Sequence, residues 1–448
     1  MSNLICSFCG KREGDIDDVF TIGRTGCICG SCVEQVAMVS QREEEKRQAE
    51  AGTETTAEAE IDWKSKLPKK LKKHIEQFVA GQAEAAKVVS VCIYNHYKRI
   101  FLRKKAADNE AINAEEVEQI EKSNLLLIGP TGTGKTLMMK IIGEHLGLPL
   151  VIYDASTLTE AGYVGNDADN IIFKLLQASN YNVKKAEKGI VFIDEIDKIG
   201  CAQNSGISKT RDVGGKGVQD SLLRLIEGDT VSVPAEGGRK HPDQKTVSIN
   251  TRDILFIGGG AFEGLASIIR DRLTDSSIGF QTNTSNTLSK DDNILKHITT
   301  EDLKNYGMIP ELIGRLPSIA TFNPLTRGIL RDILHNVKGS PLQQYKKKFA
   351  MDNIKLTFTE DAINAIIDKV LPMKIGARGL RNVLEKTLMH AMFSLPDEQR
   401  QPRQLAIDKT YIDNIFKNTL PEKNTTTDKA EASKEKTIGF NLLAAQSK

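Results

Sequence analysis

Four short apolar runs stand out along the middle of the chain: LLLIG at 125–129, LVIYDA at 150–155, GIVFID at 189–194 and DILFIG at 253–258. None alternates apolar with polar residues, so each reads as a strand covered on both faces. Between them apolar residues return at the helical period, as in LMMKIIGEHL after the first run. Strands and helices in alternation predict an α/β domain on a doubly wound, mainly parallel sheet. From about residue 325 the pattern turns helical throughout. Ile363, Ile366, Ile367 and Val370 share one face and Pro372 stops that helix; Leu380, Val383, Leu384, Leu388, Ala391, Met392 and Leu395 mark another. A small all-helical domain is expected over 325–418, behind an α/β domain over 63–324.

The flanking segments lack such patterns. Residues 1–40 hold five of the seven cysteines. Residues 41–62, QREEEKRQAEAGTETTAEAEID, bury too little apolar surface to offset their ordering entropy and read as a flexible linker. The tail over 419–448 reads as disordered by composition, and the polar segment 105–123 as a surface insertion.

Charge narrows the function classes. The 61 basic and 59 acidic residues nearly cancel, leaving +2, so no overall field draws the chain to nucleic acid or to an anionic membrane. No run reaches the roughly 18 to 20 apolar residues of a membrane span, and MSNLICSFCGK is no secretory signal. A cytoplasmic protein is expected. In a reducing compartment, clustered cysteines favour a metal over disulfides.

Two spacings carry chemistry. GPTGTGKT follows an apolar run and precedes a helical one, the context of a phosphate-binding loop. Gly129, Pro130, Thr131, Gly132, Thr133, Gly134, Lys135, Thr136 and Leu137 are the expected nucleotide-binding residues. Lys135 would hold the β- and γ-phosphates of ATP, and Thr136 would ligate Mg²⁺. Further along, GIVFIDEIDKI ends a buried strand in two carboxylates. Asp194 suits the Mg²⁺ shell and Glu195 the activation of an attacking water. The reaction expected is ATP hydrolysis.

At the head, Cys6-x2-Cys9 and Cys29-x2-Cys32 have the spacing of a closed, structural Zn²⁺ site. Cys27 is a third candidate within TGCICGSC, but with Cys29 it lacks the two-residue spacing and is expected to be a spare buried thiol.

With these motifs stand FVAGQAEAAKVVSVCIYNHYKR, EAGYVG, TRDVGGKGVQDSLLRLIEG, GGRKHP, IGF, PELIGRLP and GARGLR. Their order and combination resemble the ClpX family of AAA+ unfoldases, the ATPase partners of the peptidase ClpP, up to about residue 415. The resemblance implies an AAA+ α/β domain, a small helical domain and a zinc-binding head. It implies Arg315 as an arginine finger reaching a neighbouring subunit's nucleotide, Arg378 as a sensor-2 arginine, and Val79 and Ala80 against the adenine. Tyr163 and Val164, an apolar pair framed by Gly162 and Gly165, match a pore loop that grips polypeptide. Thr210 to Gly217 match a second pore loop, and Arg239, Lys240 and His241 a charged loop at the pore entrance. Ile278, Gly279 and Phe280 match the tripeptide that docks on a ClpP-type peptidase. A homo-oligomer, a hexamer in this family, is implied, with protein substrates and adaptors as partners. A nucleic-acid motor on the same fold is disfavoured by the near-neutral charge and the lack of a basic stripe with interleaved aromatics. A remodelling chaperone acting only without a peptidase is disfavoured by the intact Ile278-Gly279-Phe280, while remodelling without a peptidase can coexist with the delivery role.

Overall fold

A computed structural model describes residues 5–12, 19–22, 26–33, 67–108, 114–158, 168–200, 215–234, 246–275, 294–395 and 403–417. The chain divides into two units, Met1–Asp62 and Trp63–Lys448.

In the first unit β1 (Phe20–Ile22) pairs antiparallel with β2 (Cys27–Cys29), Phe20 opposite Cys29. Its core is Cys6, Cys29 and Cys32 with Phe20 and Ile28 against them. Among the described residues this is a small apolar core, of the kind that a cross-link supplements.

In the second unit α1 (Pro68–Glu76) and the long α2 (Ala83–Asp108) lead into β3 (Leu125–Ile128), whose four residues are all buried. There follow α3 (Lys135–Leu146), β4 (Leu150–Asp154), α4 (Asp169–Ala178), β5 (Ile190–Asp194) and α5 (Lys216–Glu227). A hairpin of β6 (Thr230–Pro234) and β7 (Thr246–Asn250) precedes β8 (Leu255–Gly260) and α6 (Leu265–Asp275). Then come α7 (Thr300–Tyr306), α8 (Pro310–Arg315) and β9 (Ser318–Thr321).

The sheet order is β4-β5-β8-β3-β9, every pair parallel. This is the doubly wound sheet that the unbroken apolar runs predict, and parallel strands explain those runs, since helices cover both faces. Phe192, Phe256 and Tyr153 are among its largest fully buried side chains. β4, β5 and β8 lie on one side of β3 and β9 on the other, so the crevice beyond the carboxyl end of β3 is the switch point where ligands of such folds bind.

The helical region follows, with a separate core. Thr326, Ser340 and Thr359 cap α9 (Arg327–His335), α10 (Pro341–Met351) and α11 (Glu360–Val370), each hydroxyl accepting a first-turn N–H. The apolar faces read from the sequence lie buried on α11 and on α12 (Ala377–Ser394). To these helices the structure adds a parallel pair, β10 (Ile354–Phe358) with β11 (Arg403–Ile407), the latter leading into α13 (Lys409–Lys417). Strands so short, set between helical patterns, carry too few residues to assert a period of two.

Two boundaries differ from the sequence reading. The fourth strand starts at Leu255 rather than residue 253, because Asp253 sits in a 3₁₀ turn and accepts hydrogen bonds from Arg99 and Arg103. The segment 105–123 is in part no surface insertion. Val117 is buried, Glu118 pairs with Arg103 and Arg252, and Lys122 donates to the carbonyls of Ile226 and Thr251. Its polarity reflects a charged cluster at the amino edge of the sheet. Among the described residues no helix is long and apolar enough to cross a membrane.

Candidate nucleotide site and cysteine metal centre

The chain leaves buried β3 at Gly129 and turns through Gly134, at φ 102°, into α3. No side chain caps α3, so its first N–H groups face the crevice at the positive end of the helix. Lys135 is 8% exposed, and its Nζ donates to the carbonyls of Gly129 (2.6 Å) and Pro130 (3.0 Å). Burial lowers its pKa to about 8, against the opposing charges of Asp194 and Asp197. Thr136 Oγ1 donates to Asp194 Oδ2 at 2.6 Å, joining the first turn of α3 to the end of β5. Glu195 follows at φ 55°, a left-handed conformation that is strained for a side chain of its kind, with its N–H donating to Asp194 Oδ1. Backbone strain of this kind clusters at active sites, and here it falls at the residue that follows the end of β5.

The helical region closes one side of this loop. Gly132 (φ 72°) accepts a hydrogen bond on its carbonyl from the Ala377 N–H, at the first turn of α12. A Cβ on Gly132 would lie 2.3 Å from the Ile375 carbonyl oxygen, so the approach requires glycine. Arg378 is the next residue, exposed, and its charge is among those lowering the Lys135 pKa. Val79 is buried, 3.2 Å from where a Cβ on Gly134 would sit, and Ala80 is half-buried beside it. Leu137 is exposed on α3.

Arg315 lies elsewhere. It ends α8 and its Nε and Nη2 both donate to Glu227 Oε1, at 3.0 and 2.9 Å. Ser318 pairs with Leu125 at the start of the parallel strands, so Arg315 stands at the amino edge. The phosphate loop leaves the carboxyl edge, ~13 Å away along four strand residues.

In the first unit the sulfurs of Cys6, Cys9, Cys29 and Cys32 lie within 4.8 Å of one another, and those of Cys9 and Cys29 are 3.7 Å apart. Tetrahedral zinc with Zn–S near 2.3 Å needs sulfurs ~3.8 Å apart, so the four fit the ion. The Cys29 N–H donates to Cys6 Sγ at 3.3 Å. Backbone N–H groups, that of Cys9 foremost, pull the Cys6 thiol down to about 6, whereas the neighbouring Cys29 sulfur and burial push Cys32 up to about 12. Four thiolates so close repel one another unless a cation compensates. Cys27 points its sulfur to the Ile5 carbonyl instead, at 2.9 Å.

Known proteins resemble this chain along most of its length. Residues 120–319 match the model of the AAA domain (Cdc48 subfamily), and residues 325–404 that of the C-terminal, D2-small domain, of ClpB protein. The chain is 44% identical over 403 residues to the ATP-dependent Clp protease ATP-binding subunit ClpX of Bacteroides thetaiotaomicron, covering 90% of this chain and 94% of that one. The protein of the same name from Porphyromonas gingivalis is 42% identical over 410 residues, 91% of this chain and 95% of its own. That from Borrelia duttonii is 43% identical over 415 residues, 91% of each. The chain belongs to the ClpX family. It is an AAA+ ATPase.

Several expected residues of this ClpX-family chain lie outside the described residues: Tyr163, Val164, Arg239, Lys240, His241, Ile278, Gly279 and Phe280. The structure also brings in residues that sequence reasoning passed over. Gln82 is buried, its Nε2 donating to the Asn323 carbonyl and its Oε1 accepting from the Asn323 N–H, which pins the Val79-Ala80 segment beside the crevice. Asp197 accepts from the Phe262 N–H at 3.1 Å, and its other oxygen is buried without a hydrogen-bond partner among the described residues. A third carboxylate in DEID was the signal for Asp197; nothing local marks Gln82.

Proposed function

We propose that this chain is a ring-forming, ATP-driven protein unfoldase that threads tagged proteins through a central pore and delivers them to a ClpP-type peptidase. The observation that carries it is the separation of two half-sites. Lys135, Thr136, Asp194 and Glu195 gather at the carboxyl edge of the sheet, and Arg315 stands at the amino edge of the same sheet. An arginine so placed cannot serve its own subunit's nucleotide, so it serves a neighbour's, and closure of that relation makes a ring, taken as a hexamer.

Each residue has a role in this reading. Gly129 to Leu137 cradle the ATP phosphates, with Lys135 on the β- and γ-phosphates. Val79 and Ala80 contact the adenine. Thr136 and Asp194 would hold Mg²⁺, which when bound neutralises phosphate charge. Glu195 takes the proton of the attacking water. Arg315 stabilises the transferring phosphoryl group from the next subunit, and Arg378 links nucleotide to the helical domain. Tyr163 and Val164 press on the polypeptide, aided by the second loop, Thr210 to Gly217. Arg239, Lys240 and His241 recruit substrate, and Ile278, Gly279 and Phe280 anchor the peptidase as apolar hot spots. The zinc head, residues 1–40, serves dimerisation and substrate or adaptor binding, with the linker over 41–62, the AAA+ domain over 63–324, the helical domain over 325–418 and the tail over 419–448.

The test is a folded fluorescent reporter bearing a degradation tag. Signal should fall with ATP alone and the reporter be degraded only when a ClpP-type peptidase is added. Tyr163→Ala should stop unfolding while ATP turnover continues, and Phe280→Ala should abolish capture of the peptidase. Equal capture by wild type and Phe280→Ala would remove the docking role, and unfolding at the normal rate by Tyr163→Ala the gripping role.

A further inference from the structure

Arg315 owes its position to a residue that none of the motifs contains. Its carbonyl closes α8 and, as the last in the helix, has no acceptor role within it. Asn124 Nδ2 donates to that carbonyl at 3.0 Å. The same side chain accepts the Phe256 N–H on Oδ1 at 3.2 Å, and the Asn124 carbonyl accepts the Ser318 N–H at 3.4 Å. Asn124 is 2% exposed and immediately precedes β3, so it bridges β8 and β9 across the amino edge of the sheet.

We propose that Asn124 is a positioning residue for Arg315: its amide clamps the backbone of the finger to the central strands, so that the guanidinium is presented at a fixed place to the neighbouring subunit. The proposal rests on the reading of Arg315 as a finger acting in trans. The chemistry singles out asparagine. The clamp must accept an N–H on one atom and donate to a carbonyl on another, with a side chain short enough to stay between two strands. Aspartate keeps the acceptor and loses the donor, setting two oxygens against each other. On the side-chain end of Arg315, Glu227 is the resting partner, and both groups are about half exposed, 53% and 43%, so this pair is readily exchanged for a phosphate. The backbone clamp is buried and is not exchanged. Arg315 thus combines a fixed root with a releasable tip.

Asn124→Asp, with Asn124→Ala as a second variant, tests this in full-length rings. The expected result is a fall in kcat for ATP of about tenfold to 100-fold, part of the 10³–10⁵ that such an arginine supplies. Affinity for a labelled ATP analogue should stay within about twofold, because the subunit's own phosphate loop is intact. Mixed rings separate positioning from mere folding. A Lys135→Ala subunit cannot turn over ATP but still offers an intact Arg315, so mixing it with Asn124→Asp should give more activity than the two parents together. Arg315→Ala mixed with Lys135→Ala is the control for the finger itself. Complementation by Arg315→Ala and not by either Asn124 variant would overturn the proposal while leaving the finger. Failure of the Arg315→Ala control would overturn the trans reading and the proposal with it. A normal kcat in both Asn124 variants would overturn the proposal alone.

Discussion

Thr136 Oγ1 donates a hydrogen bond to Asp194 Oδ2 across 2.6 Å, tying two residues 58 positions apart in the chain. One comes from the first turn of α3 and the other from the tip of β5, so the pair exists only when helix and strand are both docked. It also matches the pairing of a hydroxyl and a carboxylate on one cation. Thr136→Ala and Asp194→Asn should each raise the Mg²⁺ concentration needed for half-maximal ATP turnover, by at least about tenfold. Their effects should be less than additive in the double variant, because both act through one ion. Glu195→Gln should retain nucleotide binding and lose about 10²–10⁴ in turnover. A Mg²⁺ titration of ATPase rate, alongside binding of a labelled nucleotide, checks all three.

Lys135 makes nucleotide binding depend on pH. Its pKa of about 8 lies below the 10.5 of a free lysine, so between those values the folded protein holds fewer protons than the unfolded one. Stability of the nucleotide-free protein therefore rises with pH across that window, and the cost of burying the ammonium is fully present below about pH 8. Phosphates restore the charged form. ATP binding should take up a proton above pH 8 and weaken by up to about tenfold per pH unit. Calorimetry in buffers of differing ionisation enthalpy reads the proton uptake, which should vanish in Lys135→Met.

Gly132→Ala should damage the contact between the phosphate loop and α12. The added Cβ meets the Ile375 carbonyl oxygen at 2.3 Å on a left-handed backbone. Nucleotide affinity is expected to fall by about tenfold or more, with the melting temperature of the helical region little changed, since its core is separate. Binding and differential scanning calorimetry together distinguish the two.

The cysteine cluster should hold one zinc per chain. Cys29→Ser should lose the ion, and Cys27→Ser should keep it, because the Cys27 sulfur is bonded to the Ile5 carbonyl away from the cluster. Metal analysis of the purified variants reads this directly. Chelation should unfold the head, in which, among the described residues, Phe20 and Ile28 are the apolar side chains packed against the cysteine cluster.

Much of the site was legible because its signals are local. Lys135 and Thr136 stand in a contiguous glycine-rich motif, Asp194 and Glu195 end an unbroken apolar run, and the cysteines come in two C-x2-C pairs. Lys122 was not legible for the opposite reason. It lies at the end of a polar stretch that composition assigns to solvent, yet its ammonium donates to the carbonyls of Ile226 in α5 and Thr251 in the 3₁₀ turn. A charge does not reveal in the sequence whether water or the carbonyls of a packed interior will solvate it.

By itself the sequence determined four of the five strands of the parallel sheet and their alternation with helices, the phosphate loop and the four thiols, because each is written in neighbouring residues or in a period along the chain. Only the tertiary structure decided that Gln82 holds Asn323, that Gly132 meets Ala377, and that Asn124 carries the root of Arg315 from 191 residues away. Those pairs satisfy buried polar groups, and such a group's partner is set by which elements meet in space. No pattern along the chain encodes that meeting until the apolar faces have packed.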